Sequence, residues 1–138
     1  MSVKRNENPE RDNTLDVLAA TLYAEARGEP DEGKIWVLWV IRNRARMNKK
    51  YWGGSKIKDV CLHPYQFECW NKRDEIVIND LSAFKKCQAI VEQVMNSNED
   101  PTDGCDHYIN PSVAGYPSWT KNCDPIKKIK NHQFYRSK

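Results

Sequence analysis

The sequence lacks several patterns that would assign it to a large functional class. No apolar run approaches the roughly 20 residues that a membrane-spanning helix needs, so stable membrane insertion is not expected. A glycine-rich phosphate loop, a Cys-x-x-Cys pair and a His-x-x-x-His pair are all missing, so neither phosphate binding nor a common zinc motif is indicated. Repeats, low-complexity tracts and interdomain linkers are also missing, and 138 residues fit one domain.

The N-terminal segment is polar and mixed in charge. It lacks the apolar core of a signal peptide. We therefore expect a flexible tail over residues 1–13 and a single domain over residues 14–138. We also expect the chain to be made in the cytoplasm and not to export itself by that route.

Cysteine and charge are distributed unevenly. The five cysteines are an odd number, which favours buried free thiols, although one or two bridges stay open if the protein works outside the cytosol. The formal net charge is +3, and residues 121–138 hold six basic side chains against one aspartate. That end favours an anionic partner such as a cell-wall polymer, a membrane surface or nucleic acid, or it is simply a solvated basic edge.

The apolar periodicity predicts a mainly α fold. Helices are expected from Thr14 to about Ala26, from Lys34 to about Asn48 with Pro30 opening that helix as its first residue, and from Ala83 to about Asn96. The second helix is too apolar all round for a surface position and should be central. The remainder is irregular and aromatic, which predicts loop-rich flaps and at most a small β element, such as an extended piece at 133–135.

One carboxylate stands at the end of the first helix. Glu25 shares a helical face with Leu15, Leu18 and Leu22, just before the helix stops at Gly28 and Pro30. An apolar face and the negative end of the helix dipole both oppose ionisation. A protonated carboxyl can donate a proton to a leaving oxygen. The alternative is an ordinary salt bridge with Arg27, Arg42 or Arg44.

Aromatic and amide side chains gather in two irregular segments. Aromatic faces and amide hydrogen bonds suit sugar rings, and they would also suit nucleobases. The alternative is that many of these aromatics cover the core of a small protein. The residues are Tyr65, Gln66, Phe67, Trp70, Tyr108, Asn110, Tyr116 and Trp119.

The three histidines leave two other chemistries open. His63, His107 and His132, or two of them with a carboxylate, could bind a catalytic zinc ion, although their wide spacing is a weak signal. A cysteine nucleophile would need a histidine beside it, and the sequence pairs Cys61 with His63 and Cys105 with His107 only at a spacing of two.

Taken together, these segments resemble the SleB/CwlJ-type cell wall hydrolases, in particular their bacterial and phage branch. The chain departs from the usual pattern at Ala24, where many members have glycine, at Lys34, where glutamine is common, and at Asn131, which replaces a usual glycine. The matching segments are residues 22–30 with Gly33, 40–44, 61–70, 100–104, 107–108, 110–111, Trp119 and 129–135.

The resemblance implies a lysozyme-like helical domain that cleaves the MurNAc–GlcNAc bond of peptidoglycan glycan strands, with Glu25 as the catalytic acid. We favour a lytic transglycosylase over a hydrolytic muramidase, because an internal anhydro bond needs only one carboxylate. Hydrolysis would require a second carboxylate, for which Glu29 is the nearest candidate, followed by Asp80 and Asp106. The expected substrate-binding residues are Glu29, Gln66, Phe67, Tyr108, Asn110 and Trp119.

We expect no metal and no other cofactor, no nucleic-acid partner and a monomeric enzyme. The best-known family members are lytic transglycosylases of spore cortex, whereas this sequence fits a phage or prophage endolysin better, released to the wall through a holin-type lesion. The alternatives are a zinc-dependent N-acetylmuramoyl-L-alanine amidase using the three histidines and a non-catalytic glycan-binding module.

Overall fold

The structure, a computed structural model, describes residues 1–5, 12–64 and 66–138. Within these ranges about half of the chain is helical. The helices are α1 Thr14–Ala26, α2 Asp31–Met47, α3 Ile57–Leu62, α4 Leu81–Met95 and α5 Pro111–Ala114. Short 3-10 turns lie at Lys50–Trp52, Glu68–Trp70 and Ser118–Asn122. The strands are β1 Ser2–Lys4, β2 Glu75–Val77, β3 His107–Ile109, β4 Cys123–Ile129 and β5 His132–Ser137.

The second helix is central, as its composition predicts. Its apolar residues are buried almost without interruption from Trp36 to Ile41, and α1 and α4 pack against it. Arg42 donates hydrogen bonds from α2 to the carbonyl oxygens of Val94 and Ser97, at 2.7 and 2.6 Å. These bonds fasten α2 to the last turn of α4 and to the residues that follow it.

The first helix ends where predicted, but its apolar face is narrower than expected. Leu18 and Leu22 are fully buried, whereas Leu15 is 55% exposed. Pro30 is the residue before α2 instead of its first residue, with an extended ψ of 164°. Asp31 and Glu32 therefore occupy the first turn of α2, where the helix dipole favours negative charge.

The β content exceeds the small element that we expected. The described residues form two sheets, one of strands β1 and β2 and one in the order β3–β5–β4, and every pair of neighbouring strands is antiparallel. Strand β1 also corrects the expected tail, because Ser2–Lys4 pairs with Glu75–Val77 and the Asn13 side chain donates to the Lys4 carbonyl at 2.7 Å. Residues 6–11 of that expected tail lie outside the described residues.

Strand β4 is the main element that sequence patterning misses. It contains Pro125 and the charged pair Lys127 and Lys128, which are uncommon in a strand interior. An edge position explains the proline and the lysines. In the described part of the chain β4 pairs with β5 on one side alone, and its register shifts between Pro125 and Lys127. At such an edge a residue without an N–H and two lysine side chains in solvent weaken the sheet little.

All five cysteines are free thiols, and four of them are buried. Burial raises the pKa of Cys61 to about 12, and that of Cys105 to about 12 as well. Both thiols therefore stay protonated near neutral pH, which argues against the cysteine nucleophile. No helix among the described residues is both long enough and apolar enough to span a bilayer.

Candidate active site

Local packing brings Glu25 and the segment after α3 together. The Trp70 indole N–H donates to the Thr21 hydroxyl at 2.8 Å, one helical turn before Glu25 on the same face of α1. This bond lays the Glu68–Trp70 turn along the end of the helix. The Cys69 backbone N–H then donates to Glu25 Oε1 at 3.3 Å.

Glu25 lines an open cleft of about 650 Å³. Five of the six expected substrate-binding residues line the same cleft, namely Gln66, Phe67, Tyr108, Asn110 and Trp119. Glu25 comes from α1, whereas the other five come from the segment between α3 and β2, from β3 and the residue after it, and from the Ser118–Asn122 turn. The fold therefore joins parts of the chain that are far apart in sequence. The other lining residues are Arg44, Glu68, Asn71, Ile109, Val113, Ala114 and His132.

The salt-bridge alternative for Glu25 is not observed. Among the described residues Glu25 is partly exposed and forms no ion pair. Arg27 pairs instead with Asp80 at 3.2 Å, Arg42 binds the carbonyls at the end of α4, and Arg44 donates to groups of the cleft wall. The carboxyl therefore faces the cleft without a guanidinium partner.

One wall of the cleft is held by a partly buried arginine. Arg44 donates to Gln66 Oε1 at 2.6 Å and to the Asp106 carbonyl at 2.7 Å, and its guanidinium stacks on Trp52 at 5.1 Å. Burial lowers the pKa of Arg44, although the guanidinium remains charged in proteins. Gln66 is thus fixed through its oxygen, and its amide nitrogen also donates a long bond to the Tyr51 carbonyl at 3.5 Å, which leaves one amide N–H as the polar edge toward the cleft.

The aromatic residues of the cleft differ in how much surface they offer. Tyr108 stacks on His132 with ring centroids 4.9 Å apart, and Trp119 stacks on His107 at the same distance. Both are partly exposed and can meet a sugar face. Phe67, by contrast, is 3% exposed, so it belongs mainly to the core and presents only an edge. Tyr65 lies outside the described residues.

A short flap forms the opposite side of the cleft. The Asn110 side-chain oxygen accepts from Ser112 N at 3.0 Å and so caps α5, which leaves its amide N–H groups for a ligand. Val113 of α5 is 83% exposed. An apolar side chain at the cleft rim suits the C–H face or the acetyl methyl of an amino sugar.

Glu29 is the one predicted binding residue that the cleft does not include. Its side chain is buried and accepts from the Asn131 backbone N–H at 3.2 Å and from the Asn131 amide at 3.0 Å. Lys34 donates to its backbone carbonyl at 2.6 Å. Glu29 therefore ties the α1–α2 loop to the β4–β5 turn, and direct contact with substrate is not supported.

The other two carboxylates named as second catalytic candidates are also engaged elsewhere. Asp80 caps α4 through Ala83 N at 3.0 Å, and Asp106 is buried, where it accepts from Ser137 and binds His107. The carboxylate that does line the cleft beside Glu25 is Glu68, which is exposed. The sequence signal that could have identified Glu68 as a cleft residue was its position beside Gln66 and Phe67 in the aromatic segment.

The zinc alternative finds no ligand set. His107 binds Asp106 at 2.8 Å and stacks between Trp52 and Trp119, whereas His132 lies in the cleft. Across residues 1–5, 12–64 and 66–138, no group of three or more histidine, cysteine, aspartate or glutamate side chains is placed to hold a metal ion. His132 and Arg44 are cleft residues that the sequence suggested only as a zinc ligand and a salt-bridge partner.

The structure is a helical domain with an open cleft lined by aromatic, amide and carboxyl side chains, and comparison with known proteins identifies its family. A family model described as Cell Wall Hydrolase matches residues 28–135, so the chain belongs to the cell wall hydrolase family. Glu25 lies just before the matched span. The chain is 30% identical over 124 residues to the spore cortex-lytic enzyme of Bacillus subtilis and 29% identical over 123 residues to that of Halalkalibacterium halodurans.

These alignments cover 88% and 89% of this chain but only 37% and 34% of the two relatives, so the chain spans about a third of their length. Among solved structures, the catalytic domain of the germination-specific lytic transglycosylase SleB from Bacillus anthracis matches with a TM-score of 0.71 at 26% identity. That match covers 95% of this chain and 100% of the other. The SleB catalytic domain of Bacillus cereus matches with a TM-score of 0.68 at 26% identity, covering 96% of each chain.

Proposed function

We propose that this chain is a lytic transglycosylase that cleaves the MurNAc–GlcNAc bond of peptidoglycan glycan strands, with Glu25 as the proton donor. The observation that carries the proposal is a carboxyl without an ion pair in an open cleft among aromatic and amide side chains. The similarity to SleB catalytic domains supports it. The proposal includes one catalytic domain over residues 14–138, with a lysozyme-like helical frame.

The cleft residues suit this reaction. Glu25 donates its proton to the glycosidic oxygen, and the bond from the MurNAc C1 to that oxygen breaks. The C6 hydroxyl oxygen then attacks C1, and the hydroxyl proton leaves to a base, so that an internal anhydro bond closes. Gln66 and Asn110 offer amide N–H groups to the sugar hydroxyls, while Tyr108 and Trp119 offer ring faces.

A hydrolytic muramidase is the second candidate, and Glu68 is the observation that favours it. A hydrolase needs two carboxylates, about 5–5.5 Å apart for retention or about 6.5–9.5 Å apart for inversion. Glu68 lines the same cleft as Glu25 and is exposed to solvent, so it could activate water. The two routes give different products, because anhydro ends are one water lighter than hydrolysed ends.

The first test is the substitution Glu25→Gln, which keeps the size of the side chain and removes the transferable proton. We expect the release of soluble fragments from purified peptidoglycan to fall by at least about 100-fold. Glu92→Gln is the matched control, because Glu92 is exposed on α4 and does not line the cleft. Wild-type activity in Glu25→Gln would refute the assignment.

Mass spectrometry of the released muropeptides separates the two routes in the same experiment. Anhydro ends are expected from the wild type and also from Glu68→Gln. If the wild type gives only reducing ends, and Glu68→Gln loses them, the muramidase is correct and the transglycosylase is not.

We further propose a phage or prophage endolysin that acts as a monomer, a role consistent with the resemblance of residues 61–70 to the bacterial and phage branch of the family. Expressed alone inside a bacterial host, the chain should leave the culture turbid. Co-expression with a holin should clear the culture within minutes of holin triggering. Clearing without the holin would contradict holin-dependent delivery.

A further inference from the structure

His132 is a buried ring on the cleft wall that the proposed reaction leaves without a role. It begins β5, is 8% exposed and lines the cleft together with Glu25. Its ring packs against Tyr108 at 4.9 Å and against Phe134 at 6.1 Å. A histidine that serves only the core would turn both nitrogens to protein partners.

Neither ring nitrogen of His132 has a hydrogen-bond partner among the described residues. Nδ1 is buried and lies 3.5 Å from Glu29 Oε1, beyond good hydrogen-bond geometry. Glu29 is itself 7% exposed and is held by two bonds from Asn131. A carboxylate beside Nδ1 favours the tautomer with the proton on Nδ1. Nε2 then carries the lone pair and is the nitrogen left for the cleft.

The surroundings keep the ring ready to accept a proton. The charged and titratable groups that face it are Glu25 from α1, Glu29 from the α1–α2 loop and Tyr108 from β3. Burial lowers the pKa of His132, and the neighbouring carboxyl groups, Glu29 before Glu25, oppose that shift without overcoming it. The imidazole is therefore neutral at neutral pH, while Glu29 stands ready to stabilise an imidazolium.

We propose that His132 is a second catalytic residue, which accepts the proton of the attacking hydroxyl at Nε2, and that Glu29 is the positioning residue behind it. The inference rests on the proposed function, because it requires Glu25 to be the acid. In the mechanism above, it identifies the base that receives the C6 hydroxyl proton.

The proton balance closes within the site. The Glu25 proton goes to the glycosidic oxygen, which leaves with the electron pair of the broken C1–O bond. The C6 oxygen forms the new bond to C1, and its proton passes to Nε2. His132 then returns one proton to the Glu25 carboxylate through the cleft, which restores both groups for the next cycle.

The pH dependence of the reaction distinguishes this scheme from one in which Glu25 acts alone. If Glu25 serves as both acid and base, the reaction requires no neutral imidazole, and kcat/KM has no acid limb that depends on His132. If His132 must be neutral, kcat/KM falls on the acid side as the ring becomes protonated. Because burial lowers the pKa of His132, that acid limb lies below about 6.5, the ordinary value for histidine.

The experiment measures kcat/KM against pH on soluble glycan fragments for the wild type, His132→Gln and Glu29→Gln. His132→Gln should lose about 100-fold in kcat/KM and lose the acid limb. Glu29→Gln removes a negative charge that raises the pKa of His132, so its acid limb should move to lower pH. His63→Gln is the matched control, because His63 does not line the cleft.

A merely structural role for His132 would lower kcat/KM equally at every pH and leave the acid limb in place, which would overturn the inference. If His132→Gln fails to fold by near-UV circular dichroism, the shift of the acid limb in Glu29→Gln decides the matter, and an unmoved limb overturns it. Failure of the proposed function is separately visible, because Glu25→Gln would then stay active or the wild type would release no glycan fragments.

Discussion

At the scale of single residues, the cleft depends on side chains whose charge is enclosed by protein. Arg44 comes from the central helix, yet it reaches the cleft wall and holds Gln66 and the Asp106 carbonyl with separate N–H groups. Arg46 lies on the same helix, one turn after Arg42, where it is exposed and stacks on Trp39. Arg44 and Arg46 therefore allow an arginine-to-lysine substitution to be compared in two environments.

We predict that Arg44→Lys lowers both stability and activity. Lysine keeps the charge, but its single ammonium cannot reproduce the planar fork that binds two acceptors and stacks on Trp52. Loss of one charge-assisted bond in a partly buried site should cost about 1.5–3 kcal/mol of unfolding free energy. Since Gln66 loses its anchor, KM for soluble glycan should also rise several-fold.

Urea unfolding and steady-state kinetics would check this prediction, with Arg46→Lys as the control. The control should stay within about 0.5 kcal/mol of the wild type, because it changes an exposed side chain. Equal unfolding midpoints for the two variants would show that the hydrogen bonds of Arg44 do not stabilise the folded protein.

At the scale of elements, the long helices were predictable, whereas of the strands only part of β5 was, at residues 133–135. The bounds of α1, α2 and α4 follow from apolar periodicity and from local stop and start signals, such as Asp80 at the start of α4. Each of these signals lies within a few residues of the element that it defines. Strand β1, by contrast, forms only because residues 75–77 come to lie beside it, and its own three residues carry no pattern.

The same distinction explains which cleft residues could be found from sequence. Gln66, Tyr108, Asn110 and Trp119 were suggested by residue type in irregular segments, and the cleft includes all four. The environments of Glu29 and His132 depend on the β4–β5 turn docking onto the α1–α2 loop, about 100 positions earlier in the chain. No local spacing encodes that contact, so Glu29 was expected to meet substrate and His132 was considered only as a metal ligand.

At the scale of the whole molecule, two carboxylates, Asp106 buried and Asp100 partly buried, hold the segment that leads from the helices into the second sheet. Asp100 accepts from the Asn43 side chain on α2 at 2.9 Å and from Thr102 and Gly104 in its own turn. Asp106 accepts from Ser137 on β5 and binds His107. Burial alone would raise the pKa of both groups, but these hydrogen bonds outweigh it and lower both pKa values. The attachment of the sheet therefore depends on both groups being ionised.

We predict that the thermal midpoint falls in two steps as the pH is lowered from 8 to 3. His132 has a lowered pKa in the folded state, so the stability linked to its neutral form is complete above about 6.5 and is lost as the pH falls through the lowered value. Asp100 and Asp106 also have lowered pKa values, so their contribution to stability is complete above about pH 4 and is lost below it.

Calorimetry on the wild type, Asp100→Asn and Asp74→Asn would test this prediction. Asp74→Asn is the control, since Asp74 is exposed. Asp100→Asn should start from a lower midpoint at pH 7 and show a shallower loss below pH 4, because one of the two ionised groups is gone, whereas Asp74→Asn should follow the wild type. A loss below pH 4 that is as steep in Asp100→Asn as in the wild type would mean that the acid sensitivity arises elsewhere in the molecule.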